Sequence, residues 1–334
     1  MEPFLTVDLI SLVMLLGSGF LVTFLATGLL AKLNKRLGIV GIDVHKKEKP
    51  KLPDMCGLAI TIGLVSSAAL VAVLFPAEQR KLLAFALCVS IATLIGMVDD
   101  LKPLSPTVKP LLTVVAAVPI VLLGTYAPYM AIPFLGTARL TIVYPLLILI
   151  TIPVLANATN MMNPFNGAMS GTCSVLSLSM IVYLLVLGRG NEAILPAALL
   201  GSLLAFHRYN KYPARVFSGD TGDLSVGAAI GALTIMARLE VPMMIAMIPH
   251  ITNAFYLLSS LGGLRERRQI INRPTRLLEN EMLEAADDGK APVTLSRIIL
   301  AEGPLHEKQI VSVMIVLTIA SSLLGFVTLF LMPR

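Results

Sequence analysis

Ten apolar runs, each of bilayer-spanning or slightly shorter length, dominate this sequence of 334 residues. They cover residues 9–31, 57–75, 82–98, 110–124, 141–156, 172–187, 194–206, 224–237, 243–261 and 311–331. A chain that is 56% hydrophobic and only 14% charged is typical of an integral membrane protein. We therefore predict an all-α integral membrane protein with about ten transmembrane helices, of which the seventh and eighth are short.

The basic residues indicate how these helices are oriented. If the loop after the first helix is cytoplasmic, 20 of the 26 Lys and Arg residues lie on cytoplasmic loops and their flanks. The other six lie on the opposite side: Arg80, Lys81, Arg139, Arg189, Arg238 and Arg334. The positive-inside rule then places both chain termini outside. The net charge of +6 follows membrane topology, so no nucleic-acid partner is expected.

We predict a single polytopic membrane domain, residues 1–334, with no internal repeat and no cleavable signal peptide. Its longest cytoplasmic loop covers residues 262–309, in which residues 295–301 are expected to form a short interfacial helix. On the outer side, the two prolines within residues 126–139 predict a turn or short hairpin. The three cysteines are far apart and suggest neither a disulfide framework nor a metal cluster.

The third predicted helix ends in two adjacent aspartates, Asp99 and Asp100. Carboxylates at a helix C-terminus face the negative end of the helix dipole and repel one another, so local energetics disfavour them. A cation must compensate, and the candidates are Lys109, at the start of the fourth helix, and a bound Mg²⁺. A solvated helix end paired with lysine is the alternative without a function.

Four asparagines lie between the fifth and sixth helices: Asn157, Asn160, Asn163 and Asn166. They supply amide oxygens for a hard cation, and both donors and acceptors for a nucleobase edge. Asparagines are also ordinary turn residues. That simpler interpretation is strong for Asn163 and weaker for Asn160.

The most polar stretch within the apolar part of the chain, residues 207–223, separates the seventh and eighth helices. Ionisable groups so close to hydrocarbon are costly and usually functional. The simpler alternative is that Thr221 or Asp223 caps the eighth helix by accepting its free N–H groups. Because one carboxylate suffices for a cap, we assign Asp223 to capping and Asp220 to function.

The sequence contains no Walker-type glycine loop, no Ser-His-Asp set and no Cys-His zinc spacing. A carboxylate pair, a separate aspartate, amide oxygens and many cytoplasmic Lys and Arg residues fit Mg²⁺-assisted chemistry on phosphates. At membrane depth, this inventory favours a reaction between a soluble phosphate donor and a lipid phosphate.

Four stretches in order, residues 43–58, 99–109, 157–171 and 206–223, resemble the polyprenyl-phosphate N-acetylhexosamine-1-phosphate transferase family. Members attach a sugar phosphate from a UDP-sugar to a lipid phosphate. The resemblance implies Asp220 and Asn160 as ligands of Mg²⁺, with Mn²⁺ as a substitute. It implies catalytic roles in phosphate handling or proton removal for Asp99 and Asp100, and a phosphate contact for Lys109. The substrate-binding residues that it implies are Lys49, Asn166, Asn210, Arg273 and Arg276.

The branch of the family is indicated by two loops. Bacterial members usually have aspartates where Asn163 and Asn166 stand, and a histidine-rich motif in the last cytoplasmic loop. Here that loop has only His306 and an arginine-rich stretch, residues 265–276, as in the eukaryotic and archaeal branch that makes GlcNAc-diphospho-dolichol. Arginine suits bidentate phosphate contacts, so we expect Arg273 or Arg276, together with Arg267 or Arg268, to bind the diphosphate.

The resemblance therefore implies transfer of GlcNAc-1-phosphate from UDP-GlcNAc to dolichyl or another polyprenyl phosphate, the first step of lipid-linked oligosaccharide assembly. The site would face the cytoplasm, in the plasma membrane of a prokaryote or the endoplasmic reticulum of a eukaryote. Related enzymes often form homodimers. The alternatives are the same chemistry with UDP-MurNAc-pentapeptide or UDP-GalNAc, and a lipid-linked sugar transporter.

Overall fold

The computed structural model describes residues 9–263 and 272–333. Helices cover most of this part of the chain, and three short hairpins connect some of them. The helices are α1 (Leu9–Leu37), α2 (Leu58–Leu74), α3 (Gln79–Leu101), α4 (Val108–Leu122), α5 (Val143–Met161), α6 (Ala168–Val186), α7 (Ile194–Asn210), α8 (Gly219–Met236), α9 (Glu240–Ala246), α10 (Ile248–Ser260), α11 (Leu295–Ile299) and α12 (Glu307–Leu329). The strands are β1 (Val40–Ile42), β2 (Lys51–Pro53), β3 (Tyr129–Ile132), β4 (Gly136–Arg139), β5 (Thr275–Leu277) and β6 (Leu283–Ala285).

Every predicted apolar run is helical, but the ninth run is two helices rather than one. Helices α9 and α10 meet at an angle of 64°. Pro249 lies in the first turn of α10, where its missing N–H is tolerated but its ring prevents the helix from continuing smoothly out of α9. The prediction of one continuous ninth helix is therefore wrong.

Within the described residues, five helices are long and apolar enough to cross a membrane: α1, α3, α5, α6 and α12. The bent pair of α9 and α10 makes a sixth if it forms one span. Helices α2, α4 and α7 have only 17, 15 and 17 residues, and α8 carries two aspartates in its first two turns. The chain is a membrane protein, while the count of ten spans and the outer position of both termini stay predictions.

Helix α8 lies at the centre of the bundle, packed on α2, α3 and α5. Its residues from Thr221 to Ile235 are all buried. Close packing depends on small residues in its neighbours and in α8 itself. A Cβ on Gly96 of α3 would lie 2.4 Å from the carbonyl oxygen of Asp220, and one on Gly227 would lie 2.5 Å from that of Leu155.

The predicted turn or hairpin at residues 126–139 is confirmed, because β3 and β4 form an antiparallel pair there. The short helix predicted within residues 295–301 is also confirmed, as α11 (Leu295–Ile299), and its interfacial position stays a prediction. The described part of the segment 262–309 also contains the β5–β6 hairpin. Apolar side chains of this segment, including Leu283 and Leu300, form a second hydrophobic cluster with Met162, Phe165 and the first turns of α12.

Candidate active site

A chain of charged contacts joins three elements at one end of the bundle. The Lys109 ammonium, at the start of α4, lies 2.8 Å from a carboxylate oxygen of Asp99 and 2.5 Å from one of Asp220. Asp99 also accepts a hydrogen bond of 2.6 Å from the backbone N–H of Leu104, which holds the turn after α3. The predicted compensation of the helix-end aspartates by Lys109 is thus confirmed for Asp99.

Asp100 has a different set of partners from its neighbour. It accepts hydrogen bonds from the backbone N–H groups of Asp220 and Thr221, at 2.8 and 2.9 Å, and from the Thr221 hydroxyl at 2.6 Å. These are free N–H groups of the first turn of α8, so Asp100 caps that helix from the end of α3. Asp100 therefore sets the position of Asp220.

The prediction that Thr221 or Asp223 caps α8 is wrong. Thr221 donates to Asp100 instead of accepting, and Asp223 lies a full turn into the helix. The Asp223 carboxylate is buried and accepts hydrogen bonds from the side-chain amide of Asn163, at 2.8 and 2.9 Å, and from the Ser218 hydroxyl at 2.6 Å. This buried pair fastens the loop after α5 to the start of α8.

The side chains of Asn160 and Asp220 are hydrogen-bonded to each other and lie close enough to share one cation. The Asn160 amide nitrogen lies 2.9 Å from a carboxylate oxygen of Asp220, whose side chain is 26% exposed. In the described residues no three His, Cys, Asp or Glu side chains form a metal-binding group. Mg²⁺ commonly takes only one or two protein carboxylates and completes its shell with phosphate and water, so a carboxylate with one amide oxygen fits it.

Asn166 belongs to a second buried network, which the sequence does not reveal. Its backbone N–H donates to Glu307 at 2.7 Å, and its side-chain amide donates to Asp43 at 3.0 Å. Lys46 forms ion pairs with both of these carboxylates, and its ammonium lies 4.1 Å from the centre of the Tyr212 ring. Lys46 and Glu307 are 261 residues apart, so no spacing signal could have paired them.

Asn210 is also buried and hydrogen-bonded. Its side chain accepts from the Ser170 hydroxyl at 3.0 Å and donates to the backbone carbonyl of Val216 at 3.1 Å, which closes the loop after α7. The same hydroxyl lies 2.9 Å from the His207 ring. The structure thus brings Asn166 and Asn210 to the end of the bundle that holds the aspartates, and their role as substrate contacts stays a prediction.

The three predicted basic substrate contacts line one cavity of about 630 Å³. Lys49 approaches it from the first loop, and Arg273 and Arg276 from the segment before α11. His45, Asn272, Asp287 and Asp288, none of them predicted from the sequence, also line it. Arg276 is mostly exposed and pairs with Glu284. Arg267 and Arg268 lie outside the described residues.

Comparison with known proteins matches these elements to one family. The model of glycosyl transferase family 4 matches residues 82–238, from α3 to the end of α8. A protein named as a glycosyltransferase from Methanocaldococcus jannaschii is 30% identical over 85% of this chain and 86% of its own length.

Two further relatives carry more specific names. A protein from Saccharolobus solfataricus named as a UDP-N-acetylglucosamine–dolichyl-phosphate N-acetylglucosaminephosphotransferase is 25% identical over 88% of this chain and 89% of its own length. A phospho-N-acetylmuramoyl-pentapeptide-transferase from Moorella thermoacetica is 36% identical over 58% of this chain and 63% of its own length.

The apolar helices, together with carboxylates, amides and a lysine gathered at one end of the bundle, define a membrane-embedded transferase. The chain belongs to glycosyl transferase family 4, among the polyprenyl-phosphate hexosamine-1-phosphate transferases.

Proposed function

We propose that this protein transfers GlcNAc-1-phosphate from UDP-GlcNAc to dolichyl or another polyprenyl phosphate and releases UMP. The observation that carries the proposal is the single cluster of Asp99, Lys109, Asp220 and Asn160 at the ends of four helices. Such a cluster fits chemistry on a diphosphate held at the membrane surface. The archaeal relatives named for this reaction support the choice of sugar and lipid.

In the proposed reaction, an oxygen of the lipid phosphate attacks the phosphorus that carries the sugar. The bond between this phosphorus and the oxygen that bridges to UMP breaks, and the bridging oxygen leaves with UMP. A phosphate monoester is already largely ionised near neutral pH, since its second pKa is about 6. No strong base is therefore required, and Asp99 acts by placing the Lys109 ammonium.

Asp220 and Asn160 would hold Mg²⁺, which would neutralise charge on the diphosphate and on departing UMP. The Lys109 ammonium lies between Asp99 and Asp220. It would therefore offer a second positive charge to the phosphate oxygens of the diphosphate and of UMP. Lys49, Arg273 and Arg276 would bind the rest of the nucleotide sugar from their shared cavity. We propose that this end of the bundle faces the cytoplasm, where the protein would meet UDP-GlcNAc, and that the protein works as a homodimer.

The test is UMP release by purified, detergent-solubilised protein given UDP-GlcNAc and dolichyl phosphate, with Mg²⁺ and then with EDTA. We expect UMP only when lipid and metal are both present, with Mn²⁺ as a partial substitute. If no UDP-sugar and polyprenyl phosphate yields UMP from folded protein, the transferase proposal fails and transport is tested next.

Asp220→Ala is expected to reduce UMP release by roughly 100-fold or more, because it removes the carboxylate of the proposed metal site. Glu78→Gln is the control: it also removes a carboxylate, but an exposed one just before α3, whose ion-pair partner among the described residues is Lys81 in the first turn of α3. Near-normal turnover in Asp220→Ala would refute the metal assignment.

The relative from Moorella supports one alternative, the same transfer with UDP-MurNAc-pentapeptide. UMP release with this donor, and none with UDP-GlcNAc, would favour that alternative while leaving the roles of Asp220 and Lys109 unchanged. UDP-GalNAc is tested in the same assay.

A further inference from the structure

A second cavity, of about 310 Å³, lies between α1 and the loop after α7. Its lining consists of Phe24, Arg208, Tyr209, Lys211 and Arg215. None of these residues belongs to the cluster around Asp220 or to the cavity of Arg273 and Lys49. The proposed transfer reaction thus gives this cavity no task.

Three cations converge on this cavity without a carboxylate to balance them. Arg208, Lys211 and Arg215 are all exposed, and no acidic residue is part of the lining. Among the described residues, none of the three takes part in an ion pair. Like charges around one cavity repel one another, and an anionic group bound among them would offset that repulsion.

The local fold holds the cations together. The backbone N–H of Arg215 donates to the carbonyl of Tyr209 at 2.7 Å, and that of Lys211 donates to the carbonyl of His207 at 2.9 Å. The chain after α7 therefore turns back on itself, and Arg215 returns beside the last turn of α7. These backbone hydrogen bonds hold the backbone of the three basic residues close together beside α1.

If the membrane-spanning part of α1 begins at Leu9, as the apolar run predicts, the cavity lies near the opposite edge of the hydrocarbon core. From Leu9, a rise of 1.5 Å per residue reaches about 29 Å at Gly28, close to the thickness of a hydrocarbon core. A Cβ on Gly28 would lie 3.2 Å from the Tyr209 hydroxyl, so Tyr209 stands at this boundary. Its ring packs on Phe24 with centroids 5.2 Å apart. Aromatic residues with a polar tip are typical of the membrane interface.

Next to the cavity, on its membrane side, the surfaces of α1 and α7 are apolar and exposed. On α1, Leu21 and Leu25 are 58% and 56% exposed, and Leu204 on α7 is 40% exposed. A molecule with an anionic head in the cavity could therefore lay hydrocarbon chains along α1 and α7. A free nucleotide or inorganic phosphate would leave these side chains uncovered.

We propose that this cavity binds the phosphate head group of an anionic membrane lipid whose acyl chains lie along α1 and α7. The site is separate from the proposed transfer site. Binding of the lipid would make the position of the loop before Asp220 depend on the lipid composition of the membrane.

The absence of tryptophan from the chain provides the test. Phe24→Trp places a sole tryptophan in the cavity, and Val313→Trp places one at a position of matched exposure on α12, 36% against 37%. Each full-length protein is reconstituted in vesicles that contain brominated phosphatidylglycerol or brominated phosphatidylcholine. At about 0.15 M ionic strength, where the Debye length is about 8 Å, long-range surface attraction is screened.

The measured preference is the ratio of tryptophan quenching by brominated phosphatidylglycerol to quenching by brominated phosphatidylcholine. We expect this ratio to be at least about threefold higher for Phe24→Trp than for Val313→Trp. Arg208→Gln, Lys211→Gln and Arg215→Gln together should reduce the preference to the Val313→Trp value. A matched variant, Lys32→Gln, Lys35→Gln and Arg36→Gln, removes three exposed charges from the end of α1 and should leave the preference in place. All six side chains are exposed, and a monodisperse elution profile checks folding.

Equal preference at the two reporter positions would overturn the proposal, and so would an equal loss in both triple variants, which would indicate general surface charge. Relief of quenching by millimolar inorganic phosphate would show a site for free phosphate instead of a lipid. Lack of quenching by either lipid at Phe24→Trp would show that another protein surface covers this face. These measurements do not depend on UMP release, so failure of the transferase proposal would be seen separately.

Discussion

Adjacent aspartates divide two tasks between them. Asp99 and Asp100 follow one another on α3, and successive helix residues point about 100° apart. One carboxylate therefore meets Lys109, while the other accepts the N–H groups at the start of α8. In the sequence the two are indistinguishable. We propose that Asp100 is a positioning residue, because the groups that donate to it are the backbone N–H groups of Asp220 and Thr221 and the Thr221 hydroxyl.

Asp100→Ala is expected to lower the free energy of unfolding by about 1–2 kcal/mol, as loss of a helix cap does. UMP release should fall as well, since Asp220 loses the group that sets its position. Asp220→Ala leaves the cap intact and should cost less stability. Thermal unfolding of the purified variants measures the difference in stability between them. Asp100→Asn is expected to retain part of the stability that Asp100→Ala loses. A larger loss in Asp220→Ala than in Asp100→Ala would contradict the assignment.

Among the elements, α8 shows how small residues allow a polar helix start to lie inside a membrane bundle. Gly96 and Gly227 remove side chains where α3 and α5 approach α8. The close approach of α3 lets Asp100 reach the first turn of α8. The packing of α3 on α8 and the capping of α8 by Asp100 therefore depend on the same short distance between the two helices.

Gly96→Ala is expected to destabilise the protein by about 1–3 kcal/mol, because the added Cβ would overlap the backbone of Asp220. Gly17→Ala is the matched control. It is also within a helix, but no atom outside its own helix lies within 4 Å of the new Cβ, so the change should be neutral or stabilising by up to about 1 kcal/mol. Thermal unfolding compares the two variants, and equal midpoints would disprove the tight contact.

At the scale of the whole molecule, the polar clusters gather at one end of the bundle. Residues of the first loop, of the loops after α3, α5 and α7, and of the start of α12 contact one another there. Glu78, just before α3, and Lys81, in its first turn, belong to the opposite end in the predicted topology. This segregation is what the positive-inside assignment expects, and the orientation can be tested directly.

A membrane-impermeant maleimide should label Glu78→Cys in intact cells, and Glu302→Cys only after permeabilisation. The background is expected to be low, since the three native cysteines are buried. Burial also raises the pKa of the Cys56 thiol to about 12, so this residue stays protonated and unreactive near neutral pH. Both target side chains are exposed. Labelling with the reverse pattern would invert the predicted topology.

The sequence by itself determined the membrane class, the helical segments and the family, because each depends on local features. Apolar runs need only their own length, and the four motifs need only their order. The short hairpin near residue 130 and α11 were predictable for the same reason, from prolines and local pattern. The pairing of Asp99 with Lys109 was also within reach, because only ten residues separate them.

The contacts between polar groups that are far apart in the sequence were decided only by the tertiary structure. Asp100 caps a helix that begins 119 residues later, and Lys46 pairs with a glutamate 261 residues away. Three further features were seen only in the tertiary structure: the bend between α9 and α10, the buried hydrogen bonds between Asn163 and Asp223, and the basic cavity beside α1. The physical reason is that hydrogen bonds and ion pairs depend on distance in space, and close packing around α8 sets those distances.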